Sequence, residues 1–220
     1  MTDRDEFYQV ILEGIADYLD DRFIADILQT IIRFPDADLH YAINKNQIAS
    51  KTWLLDELYR AGGRRLGTVY VLGGWYGVLG AMLLGDRRFD VARVVSVDVD
   101  PACAAVADSV NRAQAATGRF TALTADMCDL DYRYADGAPA PDVIINTSCE
   151  HLGRFDDWYG RVPKGMVQVL QSNDYFDCDE HVNCVADIAA FKRQAPMSET
   201  LFAGEMKRKR YTRFMLIGRK

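Results

Sequence analysis

The chain has 220 residues, 49% of them hydrophobic and 26% charged, with a formal net charge of −6. That size and balance suit one folded unit with a full core and argue against extended disorder. The acidic charge gives no general attraction to phosphate backbones, so nucleic acid is not an expected partner.

The N-terminal MTDRDEFYQV lacks the basic and apolar order of a secretory signal, and no run reaches transmembrane length. Five scattered cysteines, an odd number, do not read as a disulfide framework. A cytoplasmic protein with reduced thiols and no membrane association is expected.

In chain order, Phe7, Val10, Ile11, Ile15, Tyr18 and Leu19 recur at helical spacing, as do Phe23, Ile24, Ile27, Leu28, Ile31 and Ile32. Residues 34–47 are rich in turn formers, and Ser50 reads as the cap of a third helix ending at Gly62 and Gly63. Residues 1–63 are thus expected to form a helical cap. Over residues 64–220 the rhythm changes to β-branched runs alternating with helical stretches: TVYVL, VARVVSV, FTALTA, PDVIIN and GMVQVLQ. Alternation of this kind predicts a parallel sheet covered on both faces. The last two runs, SETLFAGEMKRK and YTRFMLIGRK, have no helix between them and predict an antiparallel pair. The basic stretch MKRKRYTR, residues 206–213, reads as two strand ends beside a turn, with a binding patch as the alternative.

The run LGGWYG, residues 72–77, sends a strand through glycines into a helix, which brings bare backbone beside whatever binds at the strand end. The next strand ends in Asp98, placed to accept hydrogen bonds from ribose hydroxyls. The third ends near Asp126, placed to accept from an adenine amino group. The plain alternative for each acid is a helix cap.

The ordered series LGGWYG, VSVDVDP, TADMCDLDY, APDVIINTSCEHL and VPKGMVQVLQ resembles the motifs of class I S-adenosylmethionine-dependent methyltransferases, from about Thr68 to Lys220. The resemblance implies an α/β, Rossmann-like fold: a doubly wound, mostly parallel seven-stranded sheet closed by an antiparallel strand pair. It implies S-adenosylmethionine as cofactor and S-adenosylhomocysteine as product. Gly73, Gly74 and Gly77 would lie against the methionine part and ribose, Asp98 on the ribose, Val99 beside the adenine, Asp126 on its amino group and Met127 on the ring, with Asn146 at the end of the fourth strand. Trp75 and Tyr76 depart from the small residues usual in such a loop. One ring is expected to cover the cofactor or line the acceptor pocket, against plain packing on the N-terminal helices. A nicotinamide enzyme fits less well, because the full GxGxxG is missing.

The loops after the fourth and fifth strands, NTSCEHL and SNDYFDCDEHVNC, hold Asn146, Glu150, His151, Asn173, Asp174, Tyr175 and His181 as candidates for acceptor binding or proton transfer. His151 is the first choice for a base or substrate contact, since imidazole titrates near neutrality. Its plain alternative is pairing with Glu150 or capping a helix. The same loops offer Cys149, His151, Cys178, His181 and Cys184 as possible zinc ligands, at a spacing that matches no common module. From the helical cap, Tyr8, Tyr18, His40, Tyr41, Asn46, Lys51 and Trp53 are within reach of a roofed cleft, and apolar residues of the first two helices suit a homodimer contact. The expected activity is methyl transfer to N or O of a small molecule. Alternatives are a protein or RNA methyltransferase binding through Lys207–Arg210, or a non-catalytic metal-binding module.

Overall fold

A computed structural model describes residues 3–19, 21–133 and 139–220, the first seven of these by backbone alone. Phe7 and Tyr8 therefore lie outside the described side chains. Four helices precede the sheet: α1 (Asp3–Leu19), α2 (Arg22–Arg33), α3 (Leu39–Ala42) and α4 (Lys45–Arg60). Asp21 caps α2 by accepting from the amides of Phe23 and Ile24. Asn44 caps α4 in the same way, accepting from Asn46 and Gln47. Helix α4 consequently begins five residues before Ser50, the cap expected from sequence. Ser50 is buried inside the helix, where its hydroxyl donates to Gln171 Oε1 at 3.1 Å.

The sheet follows as β1 (Arg65–Leu72), β2 (Asp90–Asp98), β3 (Phe120–Thr124), β4 (Val143–Asn146), β5 (Val167–Asn173), β6 (Glu199–Lys207) and β7 (Thr212–Arg219). Between the strands lie α5 (Val78–Gly85), α6 (Pro101–Val110), α7 (Arg112–Ala116), α8 (Phe155–Arg161) and α9 (Ile188–Gln194). The strand order is β3-β2-β1-β4-β5-β7-β6. Neighbours from β3 to β5 are parallel, and β7 runs antiparallel to both β5 and β6. The expected doubly wound sheet with its antiparallel pair is present, with the last strand in sequence inserted between β5 and the edge strand β6.

Burial explains the arrangement. The central β4 is buried at every position, whereas β6 is exposed or half-buried throughout, as suits an edge. One sheet face packs on Leu54, Leu55 and Leu58 of α4 and Leu79 and Leu83 of α5; the other packs on Phe155 and Trp158 of α8 and Phe191 of α9. Helix α2 is tied to α6 and α7 by polar contacts: buried Asp26 receives Arg112 Nη2 at 3.0 Å, and Thr30 donates to Ser109 at 2.8 Å. Among the described residues no helix is long and apolar enough to cross a membrane.

The order reverses between β1 and β4, and the chain leaves their C-terminal ends in opposite directions. In open α/β sheets such a switch point leaves a crevice for ligands.

Candidate functional site

A cavity of about 590 Å³ occupies that crevice. Its first end is made by the turn after β1. Gly73 stands at φ +62° and Trp75 at φ +47°, a left-handed conformation that L side chains adopt at a cost of roughly 1–2 kcal/mol. Two bonds from β2 hold the turn: Gly74 N donates to Val97 O at 2.9 Å, and Trp75 N donates to Asp98 Oδ2 at 2.7 Å. A Cβ on Gly73 would come within 3.0 Å of Ser148 Oγ, and one on Gly74 would strike Ser96 Oγ, so both positions require glycine.

Gly73, Gly74, Trp75, Tyr76, Asp98, Val99, Asp126 and Met127 all line the cavity. Gly77 does not. At φ +71° it caps α5, and a Cβ there would meet Asn111, Phe120 and Ala107, so its smallness serves helix packing. Trp75 and Tyr76 stack with centroids 4.9 Å apart. Tyr76 also rests on the cluster of Leu39, Val106 and Val110, so it is this ring that meets the N-terminal helices.

Asp126 accepts from the amide of Cys128 at 2.8 Å and faces Arg154 Nη1 at 3.8 Å. Met127 is supported from behind: its carbonyl accepts from the Tyr132 hydroxyl at 2.7 Å, and that oxygen accepts from Trp158 Nε1 at 2.9 Å.

The other end is built from side chains of distant segments. Buried Glu150 lies in a short 3-10 turn after β4, Cys149–His151. Its Oε1 accepts from Asn173 Nδ2 at 2.6 Å and from Arg213 Nη2 at 3.2 Å. Arg213 also donates to Gln171 Oε1 and Thr147 O, each at 3.3 Å. Lys51 reaches in from α4, its ammonium donating to Gln47 Oε1 at 2.8 Å. Burial, with the Arg213 charge adding to it, pushes the Lys51 pKa down to about 8. His151 Nδ1 lies 3.1 Å from Glu180 O, and His181 Nδ1 lies 3.0 Å from Tyr175 O. Their rings meet edge to face with centroids 4.6 Å apart.

Several other candidates stand outside the cavity lining. Asn146 is buried, accepting from Ser148 N at 2.9 Å and directing Nδ2 to Met127 Sδ, so it shapes the loop from beneath. Asp174 accepts from Thr212 N and braces β7, and Tyr175 stacks on Tyr211. Trp53 packs edge to face on Phe202, and Tyr18 and Tyr41 are exposed.

The five-residue cysteine and histidine set is not assembled as one site. Cys149 is fully buried with Sγ against Asn146 O, and burial pushes its thiol well above the usual range. Cys184 points at Asn173 Oδ1 and Tyr175 O, and burial raises its thiol to about 11. Among the described residues, the ligating atoms that come together are those of Glu150, His151 and His181 instead.

Sequence reasoning missed Arg213, assigning it to a surface basic stretch. The signal was present: Arg213 opens an otherwise apolar strand, FMLIG, which predicts a buried guanidinium with a partner.

No family model matches the chain, and no curated protein matches it. Solved structures do. The N-methyltransferase NodS from Bradyrhizobium japonicum WM9, in complex with S-adenosyl-L-homocysteine, aligns over 86% of this chain and 97% of its own, at 13% identity and a TM-score of 0.59. This chain has the fold of the class I S-adenosylmethionine-dependent methyltransferases. A putative sarcosine dimethylglycine methyltransferase from Galdieria sulphuraria shares that methyltransferase fold over 79% of this chain and 86% of its own, at 14% identity and a TM-score of 0.60. The small RNA methyltransferase HEN1 aligns over 78% of this chain and 25% of its own, at 14% identity and a TM-score of 0.58.

Proposed function

We propose that the chain is an S-adenosylmethionine-dependent methyltransferase acting on N or O of a small molecule. The observation that carries the reading is one cavity joining the glycine turn, Asp98 and Asp126 to the Lys51, Glu150 and Arg213 end. A left-handed glycine, a second glycine whose Cβ would strike Ser96, and two carboxylates at successive strand ends fit an adenosyl group. Asp98 would hold the ribose hydroxyls, Asp126 the adenine amino group, and Met127 one ring face. When bound, the cofactor supplies an electrophilic methyl group on sulfonium.

What remains for the chain is to align the acceptor, exclude water and manage a proton. Lys51 and Gln47 roof the acceptor end from α4, which favours a small ligand over a polymer. Lys51, with its pKa near 8, and His151, with Nδ1 engaged by a carbonyl, each offer a nitrogen able to take a proton from the acceptor. A cytoplasmic setting accords with five free cysteines. The exposed apolar face of α1, including Val10, Ile11 and Leu19, suits a homodimer contact.

Calorimetric titration with S-adenosylhomocysteine tests the cofactor: micromolar binding by wild type, lost in Asp98→Ala, is expected, and no binding by folded wild type overturns the reading. An RNA or protein acceptor is the second reading, favoured by exposed Lys207, Lys209 and Arg210 beside the turn between β6 and β7. Charge reversal there should leave small-molecule methylation intact; loss of activity with unchanged cofactor affinity would favour the polymer.

A further inference from the structure

Glu150, His151 and His181 present one ligating atom each, all within 4.8 Å of one another. Three features prepare these atoms for an ion. Each imidazole has Nδ1 engaged by a backbone carbonyl, His151 by Glu180 O and His181 by Tyr175 O. That bond is satisfied by an Nδ1–H tautomer, which leaves Nε2 with a free lone pair; carbonyl partners of this kind orient histidines at metal centres. The Glu150 carboxylate is held at Oε1 by Asn173 and Arg213, while Oε2 is buried with no hydrogen-bond partner among the described residues. A buried carboxylate oxygen left unpartnered is costly unless something occupies its lone pairs.

We propose that Glu150, His151 and His181 form a binding site for one divalent first-row transition-metal ion at the acceptor end of the cavity. Two imidazoles and one carboxylate are a donor set for Zn²⁺, Fe²⁺, Co²⁺ or Mn²⁺ that leaves coordination positions open. Ligand atoms around a tetrahedral ion stand about 3.3 Å apart, so closure asks each group to move by no more than about 1 Å. His151 sits exposed on its turn and has that freedom. Arg213 opposes the ion by charge but binds the far carboxylate oxygen, which leaves Oε2 as the oxygen turned to the ion.

Glu150 and His151 line the same cavity as the glycine turn. The open position therefore faces the acceptor, and an acceptor oxygen or nitrogen is the ligand it would take. This role rests on the methyltransferase reading; the binding of the ion does not. With both histidines on the ion, Lys51 is the group left at this end to receive a proton.

The test is calorimetric and spectroscopic titration of chelator-treated, fully reduced protein with Co²⁺ and Zn²⁺, beside His181→Ala and Cys178→Ser. One ion per chain is expected, weakened by about 100-fold in His181→Ala and unchanged in Cys178→Ser, with no thiolate-to-cobalt charge-transfer band. Absence of binding by folded wild type overturns the proposal. So does binding that survives His181→Ala, or a thiolate band that disappears in Cys178→Ser. S-adenosylhomocysteine affinity, measured on the same samples, is expected to be equal in wild type and His181→Ala, which also reports that the variant is folded. Metal loading without S-adenosylhomocysteine binding would remove the methyltransferase reading and leave the site standing.

Discussion

The two ends of the cavity are built by different means. At the glycine turn, backbone does the shaping: a left-handed glycine, two amides bonded to β2, and carboxylates one strand apart. At the other end, side chains from α4, the turn after β4, β5 and β7 meet in one buried polar network. A ligand common to many enzymes can be met by a local turn, whereas a particular acceptor needs groups gathered from across the chain. The contrast predicts that damage at the two ends will separate binding from stability.

The largest effect belongs to the network. Arg213→Ala leaves Glu150 buried without its charge partner and should cost about 3–5 kcal/mol in urea unfolding. The paired change Glu150→Gln with Arg213→Met should recover most of that loss, because no charge is then stranded. If the single variant costs under about 1 kcal/mol, the network is wetter than its burial indicates.

Next comes Asp98→Ala, which should weaken S-adenosylhomocysteine by about 100-fold while costing only about 1–2 kcal/mol, since Trp75 N loses its acceptor. A variant that binds normally would sever the glycine turn from cofactor recognition.

Lys51→Met should raise stability at pH 7 by about 1–2 kcal/mol. The sign follows from the shift: the folded pKa of about 8 lies below the ordinary 10.5, so the unfolded chain binds more protons between those values. Wild-type stability therefore rises with pH across that window, and the advantage of Met should vanish above it. Unfolding at pH 7, 9 and 11 measures this directly.

The smallest effect is expected from Tyr132→Phe, which strands Trp158 Nε1 and frees the Met127 carbonyl. About 1 kcal/mol should be lost, with S-adenosylhomocysteine affinity changed only severalfold. A larger loss of affinity would extend the cofactor end into the packing beneath Met127.

The same contrast sets what could be read in advance. The alternation of strands and helices and the strand-end positions of Gly73, Asp98 and Asp126 were legible because each rests on a short-range pattern: apolar runs, a glycine turn, an acid at a strand end. Arg213 was not, since its partner Glu150 lies 63 residues away and its neighbours Lys207–Arg210 read as a solvated charge run. Ser50 was misread for a related reason. A serine before an apolar helical run has the pattern of a cap, but Asn44 takes that role and Ser50 is committed to Gln171 on a distant strand. Trp53, placed near the cleft from sequence, faces Phe202 of β6 instead, because two positions past the cavity-lining Lys51 carry it about 200° round the helix.

The position of β7 has a consequence for how the protein is made. It is the last of the sheet's seven described strands to leave the ribosome, yet it fills a slot between β5 and β6 and carries Arg213 to Glu150. During synthesis β1, β2 and the glycine turn are available to fold long before Glu150 can meet its cation. The nascent chain thus has its glycine turn available while Glu150 still lacks its counter-charge, and the two ends of the cavity come together only once β7 has been made.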